Sequence, residues 1–238
     1  MLPPNSAANV THRTNAPRLR FAIVSVNVTR AMSRALAILW TLALPLPASA
    51  RELTCPAGAE LRGQAPPAGV RQWCEDAEHR QHGPSVTWDE QQRMRIEAHF
   101  EHGAMQGAYR SWHENGQLGI SGSYANDRRE GVWEAWYPDG KPARSQEYRA
   151  GRQQGTAKEW YPNGQLRFEE HYVDGERHGR AVAYYENGQK QSEGSFARGA
   201  FDGTWTGWYE DGAPRKVAVY QRGTKTKEQE FPRARADH

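Results

Sequence analysis

Large apolar side chains recur along this chain at a fixed step, separated by polar residues and glycine. One column runs Trp88, Trp112, Trp136, Trp160, Tyr184, Trp208, and another Phe100, Tyr124, Tyr148, Tyr172, Phe196, Tyr220. Between them lie a glycine column at Gly83, Gly107, Gly131, Gly155, Gly179 and Gly203, and the Asn-Gly or Asp-Gly pairs that end at Gly116, Gly140, Gly164, Gly188 and Gly212. Every step is 24 residues, without insertion. A fixed period in this range marks an array of stacked units rather than a globule with one core.

Each unit reads as two strands. The Asn-Gly and Asp-Gly pairs are strong hairpin signals, and as two-residue turns with positive φ at both positions they predict Glu114 opposite Gln117. Counting back along both strands sets Gly107 opposite Tyr124, Gly131 opposite Tyr148, Gly155 opposite Tyr172, Gly179 opposite Phe196 and Gly203 opposite Tyr220. A ring across from a bare glycine in every unit supports that register. The return connection, as in Tyr172 to Gly179, reads as a longer polar turn. The predicted fold is all-β: an elongated single-layer antiparallel β-meander of tandem 24-residue β-hairpins. It covers 83–226, with a degenerate first unit at 83–106 and clear units starting at 107, 131, 155, 179 and 203.

Alternation places Trp112, Trp136, Trp160, Tyr184 and Trp208 on one face, with Gly119, Ala143, Arg167 and Gln191 between them, and predicts Arg167 stacking on Trp160 or Tyr184. Tyr137, Tyr161, Tyr185 and Tyr209 fall on the other. These rings are candidates both for the core and for a binding stripe. The hydrophobic fraction is 37%, low for a globular chain, with 11% aromatics and 23 glycines, which suits a thin sheet better than a thick core.

The N-terminal part differs. Residues 1–31 read as a disordered leader or a start placed too early. Residues 32–50 combine a short basic region, about a dozen apolar residues and Ala48-Ser49-Ala50, the pattern of a secretory signal cleaved after Ala50. That run is shorter than the ~20 residues a membrane-spanning helix needs. The expected location is therefore periplasmic or extracellular. Cys55 and Cys74 then form an isolated even pair, expected to close residues 51–82 by a disulfide. A lipid anchor on Cys55 is disfavoured because Leu53-Thr54 lacks the small residue such a site wants. Residues 227–238 read as a disordered tail.

The phrases GVWEAWYPDG at 131–140, GTAKEWYPNG at 155–164 and GTWTGWYEDG at 203–212 resemble the bacterial variant of MORN repeats, with the core G-x-W-x-x-[WY]-Y-x-[ND]-G. The resemblance covers about 83–226. The Gly83 unit departs from it at Asp89 and Gln91-Gln92, and Ala157 and Ala181 stand where Trp133 and Trp205 stand in other units. The resemblance implies a β-hairpin array for protein association, with lipid contact in some members and an antitoxin label on bacterial ones.

No catalytic constellation is legible. His79 with His82 and His99 with His102 have a spacing that suits metal ligands on a helix, but they fall at turns and strand ends. Ser111, Ser121 and Ser123 lack a nucleophile-elbow sequence. The net charge of +3 offers no case for nucleic acid, and basic residues are interleaved with acids, which ranks membrane lipid last among partners. The expectation is an exported non-enzymatic protein without cofactor or metal that binds or scaffolds a protein partner. The alternatives are a glycan or cell-envelope ligand on the aromatic stripe, and an antitoxin-like inhibitor.

Overall fold

The computed structural model describes residues 53–233; the leader and the secretory signal expected at 1–50 lie outside the described residues. The strands are β1 (Ala59–Gln64), β2 (Arg71–Asp76), β3 (Gln81–Trp88), β4 (Met94–Glu101), β5 (Ala104–Trp112), β6 (Leu118–Ala125), β7 (Arg128–Trp136) and β8 (Pro142–Arg149). They continue as β9 (Arg152–Trp160), β10 (Leu166–Val173), β11 (Glu176–Tyr184), β12 (Lys190–Ala197), β13 (Ala200–Trp208), β14 (Pro214–Gln221) and β15 (Thr224–Glu230). All fifteen form one sheet in sequence order, each antiparallel to the next. Two strands more than the array expected precede it, and β15 runs through residues read as tail, because Val219 and Lys227 and their neighbours continue the ladder.

The expected far register holds in every unit: Gly107 pairs with Tyr124, Gly131 with Tyr148, Gly155 with Tyr172, Gly179 with Phe196 and Gly203 with Tyr220, and Gly83 pairs with Phe100. The turns are exchanged, however. The Asn-Gly sites are three-residue loops: His113 N donates to Gln117 O at 2.9 Å, Gly116 N donates to His113 O at 3.0 Å, and Trp112 pairs with Leu118. Only the glycine takes positive φ, +82° at Gly116, so the predicted Glu114–Gln117 pair does not form. This is the type I turn with a left-handed glycine that suits three-residue hairpins. One extra loop residue shifts the pairing by one, and the irregularity at Gly119 shifts it back before Ser111 meets Ile120.

The two-residue turns sit at the return connections instead. Ala150 (φ 49°) and Gly151 (φ 82°) both lie in the left-handed region and join Arg149 to Arg152 directly. Asn126-Asp127, Asp174-Gly175 and Arg198-Gly199 do the same. The degenerate unit keeps the fold without its Asn-Gly pair: Gln92 takes φ 63°, and the Asp89 carboxylate accepts from the backbone N of Gln91 and Arg93.

Most of the core is one row of side chains on one face, with Val86 and Val182 (3% exposed each) buried on the other. Directly paired neighbours run Ser85–Ala98–Tyr109–Gly122 and Trp133–Gln146–Ala157–Glu170–Ala181–Gly194, then Trp205–Ala218. The row's deepest members are Ser85, Ala98, Trp133 (6% exposed), Gln146 (1%), Ala157, Ala181 and Ala218. Large stands beside small at Tyr109–Gly122, Gln146–Ala157, Glu170–Ala181 and Trp205–Ala218. Trp133 lies over Gly122 and Trp205 over Gly194, where a Cβ would be driven into the indole. Where the column holds Ala157, the residue eleven positions earlier is Gln146, whose amide donates to the carbonyls of Glu147 (2.8 Å) and Gln154 (3.1 Å). Where it holds Ala181, that residue is Glu170. At the N-terminal end the disulfide Cys55–Cys74, with Cα atoms 5.5 Å apart, forms as expected, and Pro56 packs against Gly83. Such a bond points to an oxidising compartment.

Candidate functional site

Trp112, Trp136, Trp160, Tyr184 and Trp208 end β5, β7, β9, β11 and β13 and are half-buried. They pair with Leu118, Pro142, Leu166, Lys190 and Pro214. Strict alternation from Trp133 puts Trp136 on the opposite face from the core row, with Glu134. That face also carries an ionic ladder, Arg110–Glu97 at 3.0 Å, Lys158–Glu169 at 3.2 Å and Arg180–Glu193 at 2.8 Å, with Val86 and Val182 buried among these columns. Arg167 does not stack on Trp160 or Tyr184; it lies 5.8 Å from the centroid of Tyr161 and pairs with Glu159, which stands within its reach.

The tyrosine column works differently. Tyr137 Oη donates to the Trp160 carbonyl at 2.6 Å, Tyr161 Oη to that of Tyr184 at 2.9 Å and Tyr185 Oη to that of Trp208 at 2.9 Å. In the first clear unit His113 replaces the tyrosine, with Nε2 2.7 Å from the Trp136 carbonyl. Each ring thus joins one unit to the next. The turn residues add a second link: Asn163 Nδ2 donates to Glu186 O and Asn187 Nδ2 to Glu210 O, both at 2.8 Å. Asp139 has no amide to donate, and there Lys141 Nζ reaches Pro162 O at 2.9 Å. At the C-terminal end Arg233 lies 4.7 Å over Tyr209 and pairs with Asp211 at 2.8 Å.

Two clefts open on the core-row face, each of about 210 Å³. One is lined by Ile120, Arg129, Trp133, Arg144, Gln146 and Tyr148. The other is lined by Ser192, Phe201, Trp205, Lys216, Ala218 and Tyr220, the same columns three units later. The repetition follows from the row: Trp133 and Trp205 tilt toward their glycines, and the space they vacate on the far side becomes the cleft. Indole Nε1 donates to Ser123 O at 3.0 Å in one and to Ser195 O at 2.9 Å in the other, which holds the tilt. The sequence carried this signal in Gly122 and Gly194, eleven residues before each tryptophan, and the spacing gains meaning only once β6 lies beside β7 and β12 beside β13.

Of the histidines with metal-like spacing, the fold brings His82 and His102 together as a stacked pair, centroids 4.4 Å apart. His102 Nδ1 lies 3.1 Å from Asp76 Oδ2. Burial pushes the Asp76 carboxyl up, but hydrogen bonds from the Arg80 backbone and side chain and from His102 outweigh it and hold the group well below the usual carboxylate range. His79 is turned to Glu75 at 2.8 Å instead. No group of three or more metal-capable side chains forms among the described residues.

The family model for the MORN repeat variant matches residues 105–126, 129–150, 153–174 and 177–197. No curated protein matches the chain. Among solved structures it is similar to the GtfA/B complex bound to UDP and GlcNAc, at 13% identity and a TM-score of 0.22, over 60% of this chain and 25% of that one. It is also similar to the glycosylation associate protein (Gap123) complex from Streptococcus agalactiae, at 13% identity and a TM-score of 0.19, over 56% of this chain and 20% of that one. The chain thus spans a quarter or less of those chains, and at these TM-scores neither likeness bears on its function. Repeats of the matching family are generally modules that bind proteins or membranes. Residues 105–197 are four tandem MORN repeat variant units, set within a longer run of hairpins that keeps their columns.

Proposed function

We propose that this is an exported, non-enzymatic repeat protein that binds a protein partner along the face carrying Trp133 and Trp205. The observation that carries the reading is the pair of clefts built from the same columns three units apart. At ~4.8 Å per strand, six strands separate them by about 29 Å, a span that suits a partner lying across the sheet. Many of the described acids and bases are occupied in turns and ladders rather than gathered around one reacting position. Export is supported by the sequence at 32–50 together with the Cys55–Cys74 bond. Two measurements test the reading. Mature protein from export-competent cells should begin at Arg51 and gain the mass of two hydrogens on reduction; an uncleaved chain with free thiols brings the antitoxin-like alternative forward. A photo-crosslinking residue at Ile120 should give a defined adduct in those cells, and one at Ser145, on the other face, should not. Equal labelling from both positions rules the face assignment out.

A second reading has its own observation: the half-exposed rings of Trp112, Trp136, Trp160, Tyr184 and Trp208 form a stripe on the ionic face, where sugar rings could stack. Glycan binding unchanged in the Trp136→Ala, Trp160→Ala double variant eliminates it.

A further inference from the structure

The Trp133 cleft holds two guanidinium groups that no carboxylate neutralises among the described residues. Arg129 lies between rings, 4.6 Å from the Trp133 centroid and 5.3 Å from that of Tyr148, and donates to Tyr148 Oη at 3.2 Å. Arg144, exposed at the cleft wall, makes no ion pair among those residues. The acid directly across from it, Glu159, is held by Arg167. The other acid at the edge, Glu134, springs from the opposite face of β7.

The chain itself shows what a cation in this column takes. Three units later the Arg144 position is Lys216, and its Nζ meets Glu228 at 2.6 Å. Glu228 belongs to β15, an extended strand laid along β14. The cation of the second cleft is therefore paired with a carboxylate from the protein's own terminal strand, while Arg144 has no such partner among the described residues.

We infer that the Trp133 cleft is a subsite for one carboxylate side chain, Asp or Glu, presented by an extended segment of a partner protein, with Arg144 and Arg129 as its two donors. This rests on the protein-binding reading above and names the chemistry of that site. A guanidinium pair matches a carboxylate through two parallel N–H donors each, which a lysine cannot do. Ile120 and the Tyr148 ring supply apolar contact for the stem of such a residue. The two guanidinium groups stand in a ring-lined cleft rather than across a broad basic face, so the site suits a single carboxylate better than an anionic lipid surface.

The test uses the full mature chain and a set of extended peptides of alternating Val and Thr, with Glu, Gln or phosphoserine at one central position, read by quenching of tryptophan fluorescence. Glu peptides should bind, Gln peptides should bind about tenfold or more weakly, and Arg144→Gln should remove that preference, the scale expected for a hydrogen-bonded charge. Arg144→Lys should restore part of it, and Lys216→Gln should leave it intact. Equal binding of Glu and Gln peptides overturns the inference, as does an unchanged preference in Arg144→Gln or preferential binding of phosphatidylglycerol vesicles. Arg144 is exposed and unpaired, so its variants are expected to fold, which circular dichroism checks. If the Ile120 adduct persists in Arg144→Gln while the peptide preference is absent, the protein-binding reading stands and this inference falls.

Discussion

The indole of Trp133 lies flat over the bare Cα of Gly122 and donates to the carbonyl of the following residue, Ser123, at 3.0 Å. Trp205 repeats this over Gly194 and Ser195. Elsewhere in the row a long side chain stands beside a small one, Gln146 beside Ala157 and Glu170 beside Ala181. A one-layer sheet has no second layer to fill gaps, so each position must complement its own neighbours.

Trp133→Ala should therefore cost about 3–5 kcal/mol and Gly122→Gln about 1–3 kcal/mol, as cavity and overpacking changes do. The double variant copies the Gln146–Ala157 pair and should be more stable than the sum implies, by on the order of 1 kcal/mol or more. Urea unfolding of the four proteins measures the coupling; strict additivity would show that the two residues do not share one space.

The links between units are individually modest. Removing the hydroxyl in Tyr161→Phe should cost about 1 kcal/mol. Lys141→Ala should cost a similar amount, and less in an Asp139→Asn background, because the new amide can reach the Pro162 carbonyl as Asn163 reaches Glu186. Thermal melts of the single and double variants decide it; equal losses in both backgrounds would separate the lysine from the turn.

Acid should loosen the N-terminal hairpins first. Asp76 is held ionised to unusually low pH by Arg80 and His102, so its contribution is complete above the ordinary carboxylate value of ~4 and declines as pH falls from there toward its folded value. Asp76→Asn should be less stable than the parent at pH 6, and the gap should narrow at pH 3. Melting temperatures at both pH values are the check, and a gap that widens in acid would mean the sign is wrong.

Because each hairpin packs on its sequence neighbours, deleting residues 155–178 should leave a shorter folded sheet with a cooperative melt. Deleting 155–166 removes one strand, reverses the direction of everything after it and should abolish folding. Circular dichroism and size-exclusion profiles of the two deletions distinguish these outcomes; similar behaviour of both would contradict a nearest-neighbour array.

The sequence by itself determined the period, the antiparallel order and the far register. Those follow from columns in which a glycine and a ring recur 24 residues apart, and a single slip would misplace every column at once. It could not decide which connection was short. Asn163-Gly164 and Asp174-Gly175 are equally good two-residue turn dipeptides, yet the first closes a three-residue loop and only the second is a two-residue turn. The difference lies in the strands they join. After Gly164 the ladder is corrected by an irregularity at Arg167, which a local dipeptide cannot announce. Depth was hidden for the same reason. Trp133 and Trp136 are three residues apart in one strand, and alternation alone gives neither the deeper place. The pairing irregularity between β6 and β7 around Gly131 sets Trp133 against Gly122, while Trp136 stays half-exposed at the strand end. The clefts follow from that choice, because a cavity is made by neighbours across strands and only the folded sheet brings Ile120, Arg144 and Tyr148 around one ring.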